Sequence, residues 1–277
     1  IGTTLPMIAA MVGILAHALY KSALFLVVGI VEHQSGTRDL NFLGGLARIM
    51  PVTAVVAGIA ALSMAGIPPL FGFIAKETLL EAALDSVLGT LPHWFVPAVV
   101  ILSSLIAVGY SLVLFSGVFL GPPKKQRQDT HEASWGLLAA PVGLALLSVI
   151  LAFPPAIGSV SNLISMATSS TVQTAADVSL RLWHGINLPL VASIGAIIGG
   201  ALLYLFRERI WALQNRWPKR LALDTLYDWA IDTLNLIALR VTRTLQNGTL
   251  RYYIITILVT LLVLVVYALT ASGDRPV

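Results

Sequence analysis

The sequence predicts an all-α polytopic membrane protein, and three observations carry that prediction. Charged residues make up only 11% of the chain, against about 25% in an ordinary soluble domain. Apolar runs of spanning length recur along it, and the mean hydropathy is +0.87. Two lysines, Lys21 and Lys76, lie inside such runs. A charge at bilayer depth costs about 2.5–3.5 kcal/mol on insertion scales, and residues placed there usually serve ion or proton movement.

A spanning helix needs roughly 20 apolar residues. Six crossings are expected: 5–31, 51–88, 94–120, 134–153, 187–206 and 251–271. The second, at 38 residues, would reach about 57 Å as one straight helix, too long for a single unbroken crossing. It contains the string AGIPP, residues 65–69. Proline removes a backbone donor and glycine loosens the helix, so Gly66, Pro68 and Pro69 predict an unwound elbow in a discontinuous helix.

Basic residues choose between one broken crossing and two complete ones. With one, a single side receives Arg38 and Arg48, then Lys124, Lys125 and Arg127. The same side then receives Arg207, Arg209, Arg216, Lys219, Arg220, Arg240, Arg243 and Arg251. The opposite side holds Arg181 and Arg275. Two full crossings would move Arg38 and Arg48 across and weaken this asymmetry. The broken helix is therefore expected, with the basic loops cytoplasmic and both chain ends outside.

Two connections are long. Residues 154–186 are rich in Ser, Thr and Ala and predict an external loop with a short helix near 172–183. In 221–247 the apolar positions Leu223, Leu226, Tyr227, Ala230, Ile231, Leu234, Ile237, Ala238, Val241 and Leu245 fit one helical face. Asp224 is its candidate N-cap and Gly248 its candidate stop. Acids in its first half and Arg240 and Arg243 in its second match the helix dipole. An amphipathic helix on the cytoplasmic interface or beside another subunit is expected; a plain surface connector is the simpler alternative.

Composition removes several function classes. There are no cysteines, which excludes disulfides, thiolate metal sites and iron–sulfur ligation from this chain. Any redox chemistry belongs to a partner, and no cofactor is expected here. The five histidines fall in separate segments, against a local metal motif. Thirteen acidic residues beside seventeen basic ones argue against a nucleic-acid binder. Ile1 stands where an initiator would, with no basic segment before the apolar run and no cleavage pattern after it. A segment of a longer polypeptide is expected.

The candidate functional residues follow from position. Residues 6–20 and 22–31 carry no Asp, Glu, Lys or Arg, so Lys21 is too central to snorkel to the interface. His17, four residues earlier, shares its helix face. Burial disfavours the charged form of lysine and histidine alike, so Lys21 can exchange a proton and His17 can relay it. A buried histidine satisfied by a hydroxyl or carbonyl is the alternative for His17. Lys76 and Glu77 follow the elbow, and adjacent helical residues point about 100° apart. Either Lys76 faces a water path while Glu77 turns to another neighbour, or the two form a structural ion pair. No acidic cluster lies deep in a span, which favours protons over sodium here, although elbow carbonyls can bind sodium without acids.

The strings HALYKSALFLVVGIVEHQSGTRDL (17–40), LGGLARIMPVT (43–53) and LSMAGIPPLFGFIAKE (62–77) resemble the antiporter-like subunits of the complex I superfamily. Within it they are most similar to the large A subunit of Mrp-type Na+/H+ antiporters, as is LYDWAIDTLNLIALRVTRTLQNGTLRYY (226–253). The resemblance is specific over about 13–80 and 221–270. It implies a core of inverted five-helix repeats, each with a lysine on a discontinuous helix. Lys76 would be the terminal lysine and Glu77 its acidic neighbour. Lys21 and His17 would lie on the central hydrophilic axis, and 221–247 would be a lateral helix beside other subunits.

Residues 1–120 would then be the last helices of that core and 121–220 additional transmembrane helices with the external loop. Residues 221–277 would be the lateral and final helices. The first repeat is absent, so half of a proton path is expected. The implied function is H+ exchange for Na+ or K+ in a multisubunit complex of a bacterial plasma membrane. The alternative is a proton-pumping subunit of a respiratory NADH:quinone oxidoreductase or membrane-bound hydrogenase.

Overall fold

The computed structural model describes residues 4–85, 92–124, 129–183, 185–214, 223–245 and 250–272. Lys125, Arg127, Arg216, Lys219, Arg220, Gly248 and Arg275 lie outside them. The chain divides into two compact units, Ile1–Glu208 and Arg209–Val277. Every regular element among the described residues is helical.

In the first unit the central helix is α1 (Thr4–Ser35). Its buried positions Val12, Ala16, Leu19, Ala23, Val27 and Ile30 recur every three or four residues, the spacing of one buried face. Against it pack α2 (Pro51–Ala65), α3 (Phe71–Asp85), α5 (Trp135–Ile150) and α6 (Ala156–Val172). Helices α4 (Phe95–Phe119) and α7 (Leu188–Leu205) pack on each other and on α3. The chain continues into α8 (Arg207–Gln214). Among the described residues three helices, α1, α4 and α7, are long and apolar enough to cross a membrane by length and composition. Pro51–Ala65, Trp135–Ile150 and Tyr253–Leu269 are shorter apolar helices.

The second unit contributes α9 (Leu223–Leu245) and α10 (Leu250–Ser272). Asp224 falls inside the first turn of α9 and is not the residue before it, so the expected N-cap position is displaced. Arg243 occupies the last turn, as the helix dipole favours.

The 154–186 connection differs from expectation. Its helix is α6, starting directly after Pro155, and residues 173–183 are non-helical. The buried face Ile157, Val160, Ser161, Ile164 and Thr168 outweighs the low helix propensity of its many Ser and Thr residues. The following segment is tied back onto α6. Leu180 N donates to Ser161 Oγ at 3.1 Å, and Ala176 N to Ser169 Oγ at 3.0 Å.

Two further devices fix the bundle. A Cβ at Gly200 of α7 would stand 2.5 Å from both the Leu105 carbonyl oxygen and Val108 Cβ of α4, so the helices approach as closely as small residues allow. Earlier in the chain, Pro51 opens α2. Glu132, from the segment before α5, caps it: Oε2 accepts from Val52 N at 2.7 Å and Thr53 N at 3.3 Å, and Oε1 from Thr53 Oγ1 at 2.5 Å. A carboxylate there satisfies orphan N–H groups and complements the dipole.

Gly200→Val is expected to lower thermal stability of the detergent-solubilised protein by about 1–3 kcal/mol, the usual cost of overpacking. Gly143→Ala, where an added methyl meets nothing within 4 Å, serves as the control and should hold or raise stability, since alanine is favoured over glycine inside a helix by up to about 1 kcal/mol. Glu132→Ala should cost about 0.5–2 kcal/mol, as for lost caps elsewhere, read by the same melting curves.

Candidate functional site

The site is built where α2 stops and α3 starts. Gly66 adopts φ +76°, the left-handed conformation that ends helices at glycine. Its N–H donates to Ser63 O and Ile67 N donates to Leu62 O, each at 3.0 Å. Pro68 and Pro69 follow on the exposed outer side of the turn, and α3 resumes at Phe71.

A helix broken inside an apolar medium leaves carbonyls on one side and amides on the other without partners. Here each stump is satisfied by a side chain attached to the other. Lys76 of α3 reaches back, and its Nζ donates to Ala65 O of α2 at 2.8 Å. Ser63 of α2 reaches forward, and its Oγ accepts from Gly72 N of α3 at 3.2 Å. Ser63 also shares a 2.8 Å hydrogen bond with Ser148 of α5. Both glycines are required: a Cβ on Gly66 would overlap the Lys76 side chain, and one on Gly72 would overlap the Ser63 carbonyl. The ammonium thus lies at the C-terminal, partially negative end of α2.

A cavity of about 240 Å³ opens beside Lys76. Its hydroxyl lining comes from Tyr20, Ser63, Ser103, Ser104 and Tyr110, and Lys76 is its charged member. A water occupies about 30 Å³ of liquid volume, so the cavity has room for several. Lys21 approaches the same region, its Nζ 5.5 Å from the ring centroid of Tyr110, a cation–π geometry. His17 stands on an exposed face of α1, its Nδ1 3.2 Å from Tyr20 Oη, and the two rings meet edge-on at 5.3 Å. The structure therefore gives His17 a tyrosine partner, and each of the two tyrosines links an α1 residue to the lining.

Glu77 points elsewhere. It is 8% exposed, and Ser193 Oγ of α7 donates to its Oε1 at 2.5 Å. The pattern in α7 explains the meeting: Leu190, Ser193, Ala196 and Gly200 are its buried positions, one stripe at helical spacing. Sequence reasoning passed over Tyr20, Tyr110, Ser63, Ser148 and Ser193. Tyr20 carried a usable signal, three residues after His17; the serines have no signature beyond their presence in apolar runs. Among the described residues no cluster of three metal-ligating side chains occurs.

Residues 1–106 match the family described as NADH:quinone oxidoreductase/Mrp antiporter, transmembrane. Over 98% of its length it is 34% identical to the A subunit of the Na(+)/H(+) antiporter of Bacillus subtilis (strain 168), covering 35% of that protein. It is 37% identical over 79% of its length to the A/B subunit of a probable K(+)/H(+) antiporter of Rhizobium meliloti (strain 1021), covering 22% of it.

Among solved structures, the Mrp complex from Dietzia sp. DQ12-45-1b superposes with a TM-score of 0.69 at 28% identity, over 99% of this chain and 29% of that one. An archaeal membrane-bound sulfane sulfur reductase shares the fold, with a TM-score of 0.54 at 23% identity, over 95% of this chain and 48% of that one. The chain is thus similar to part of these relatives, and spans about a third of the length of the Bacillus one.

Gly72→Ala is expected to force α2 and α3 apart at Ser63 and to reduce folded yield sharply. Ser63→Ala, which removes only the hydroxyl, should cost about 1–3 kcal/mol through the orphaned Gly72 amide, measured by thermal unfolding in detergent.

Proposed function

We propose that this chain is the C-terminal portion of the antiporter-like region of a large A subunit, followed by further membrane helices. The complete complex would exchange H+ for Na+ or another monovalent cation across a bacterial plasma membrane. The observation that carries the reading is the Lys76 ammonium held on the Ala65 carbonyl at a helix break, beside a hydroxyl-lined cavity. An amine so placed can release a proton to water in the cavity and regain one. In this proposal protons pass between Lys21 and Lys76 through water in the cavity, with Tyr20 and Tyr110 supplying hydroxyls and His17 entering through Tyr20. Charging one lysine disfavours charging the other, which couples the steps.

The membrane arrangement belongs to the same proposal. Six crossings are formed by α1, by α2 and α3 together, and by α4, α5, α7 and α10. Helix α9 is the lateral amphipathic helix that lies along neighbouring subunits, and the basic loops are cytoplasmic. The relatives named as antiporter subunits support exchange of cations for protons. The family also includes subunits of NADH:quinone oxidoreductase by its description, and a purified complex containing flavin or iron–sulfur centres would transfer the same proton path to a redox-driven pump.

The test is cation-dependent collapse of ΔpH in everted vesicles carrying the complete complex. Lys76→Ala and Lys21→Ala are each expected to lower antiport at least about a hundredfold, the lower end of what one proton-transfer group contributes, with assembly of the complex unchanged. Full antiport in both variants would make the lysines structural, and loss of assembly with Lys76→Ala would make it a strut of the helix break.

A further inference from the structure

Beyond the lysines and the cavity, one buried polar contact reaches from the proton-handling region into a helix outside residues 1–106. Ser193 of α7 is 5% exposed, Glu77 is 8% exposed, and the serine hydroxyl donates to the carboxyl at 2.5 Å. A hydroxyl donor there satisfies a carboxyl oxygen that is shielded from water, and a buried acceptor left without a donor is costly. The contact joins residues 116 apart in sequence, on α3 and α7, and α7 is itself pressed onto α4 at Gly200.

We infer that Ser193 is a positioning residue for Glu77, holding its carboxylate on the α7 side of α3 while Lys76 reaches to the α2 side. The inference rests on the reading of Lys76 as a proton-exchanging group. Lys76 and Glu77 are neighbours in sequence, so the negative charge nearest along the chain to the exchanging ammonium is that of Glu77. In a medium of low polarity, a charge displaced by an ångström or two changes its interaction with a nearby ion far more than it would in water. Lys76 finds its partner in a backbone carbonyl of α2, and Glu77 finds one of its partners in α7. The two side chains leave α3 in different directions, each fixed at its far end. Without the Ser193 hydroxyl, the carboxylate loses a donor in a buried site and reorients toward other polar groups, shifting the field at Lys76. Ser193 also makes α7 part of the site, which extends the functional region well past residue 106.

The experiment compares Ser193→Thr with Ser193→Val in the complete complex, because threonine and valine share a shape and differ by a hydroxyl. Initial antiport rates in everted vesicles are measured against cation concentration, alongside Lys76→Ala. The expected result is a threonine variant near wild type and a valine variant about tenfold slower at saturation, the scale of one bond to a charged group, with half-saturating cation unchanged. Equal rates for the two variants overturn the inference, since shape and not the hydroxyl then matters. Failure of the valine variant alone to assemble also overturns it, by making the hydroxyl a folding contact. Where neither bulkier residue is accommodated, Ser193→Ala decides in the same way: slowed maximal rate with normal assembly supports positioning, and a wild-type rate removes it. Full activity of Lys76→Ala would instead defeat the underlying reading, whatever the Ser193 variants do.

Discussion

A helix interrupted in an apolar environment must find partners for the backbone groups it exposes, and the rest of this structure is arranged around that requirement. The break after Ala65 leaves a carbonyl end and an amide end facing one another. Lys76 meets the carbonyl and Ser63 meets the amide. Each of these groups belongs to the opposite half of the helix, so the two halves hold each other in register. The close fit of Gly66 under the Lys76 chain and of Gly72 on Ser63 follows from this exchange. So does the anchoring of Ser63 to Ser148, which fastens the break to α5. The same lysine that satisfies the backbone also faces the cavity, so structural need and chemical capacity coincide in one ammonium group.

Around this break the polar side chains are placed economically. Many serines and threonines in the apolar helices return their hydroxyls to a carbonyl four residues earlier, as Thr78 does to Ile74, Ser111 to Ala107 and Thr171 to Ala167. Such hydroxyls are satisfied without leaving the helix. The ones that reach across to another helix, Ser63, Ser148 and Ser193, are those that bear on the site. Tyr20 and Tyr110 are intermediate: each has an apolar ring that packs like its neighbours and a hydroxyl end available to the cavity.

The sequence made the helical class and the position of the break readable, because length, apolar runs and the Gly-Ile-Pro-Pro string are local signals. Lys21 and Lys76 stood out because charge is rare in such runs. What could not be read was which groups meet. The angle between Lys76 and Glu77 follows from helix geometry, but the arrival of Ser193 at Glu77 depends on how α7 packs against α3 and α4, a long-range fact without a local pattern. The α6 segment was misplaced for a related reason: its Ser and Thr content suggested loop, while a buried face supplied by tertiary packing made it helix. Glu132 was equally silent, since a cap provided from 80 residues away leaves no mark near the helix it caps.

That distant cap has a mechanical consequence. Helix α2 has a carboxylate seated on its first amides and an ammonium seated on its last carbonyl, so it is pegged at both ends by charges of the signs its own dipole prefers. Sliding it along its axis in either direction would pull one peg out while driving the other into the helix. The two pegs oppose axial sliding of the rod, and rotation about the bonds of the Lys76 side chain is a displacement that leaves both helices where they are. A tether a few ångströms long thus gives this site a way to move on an unchanged frame.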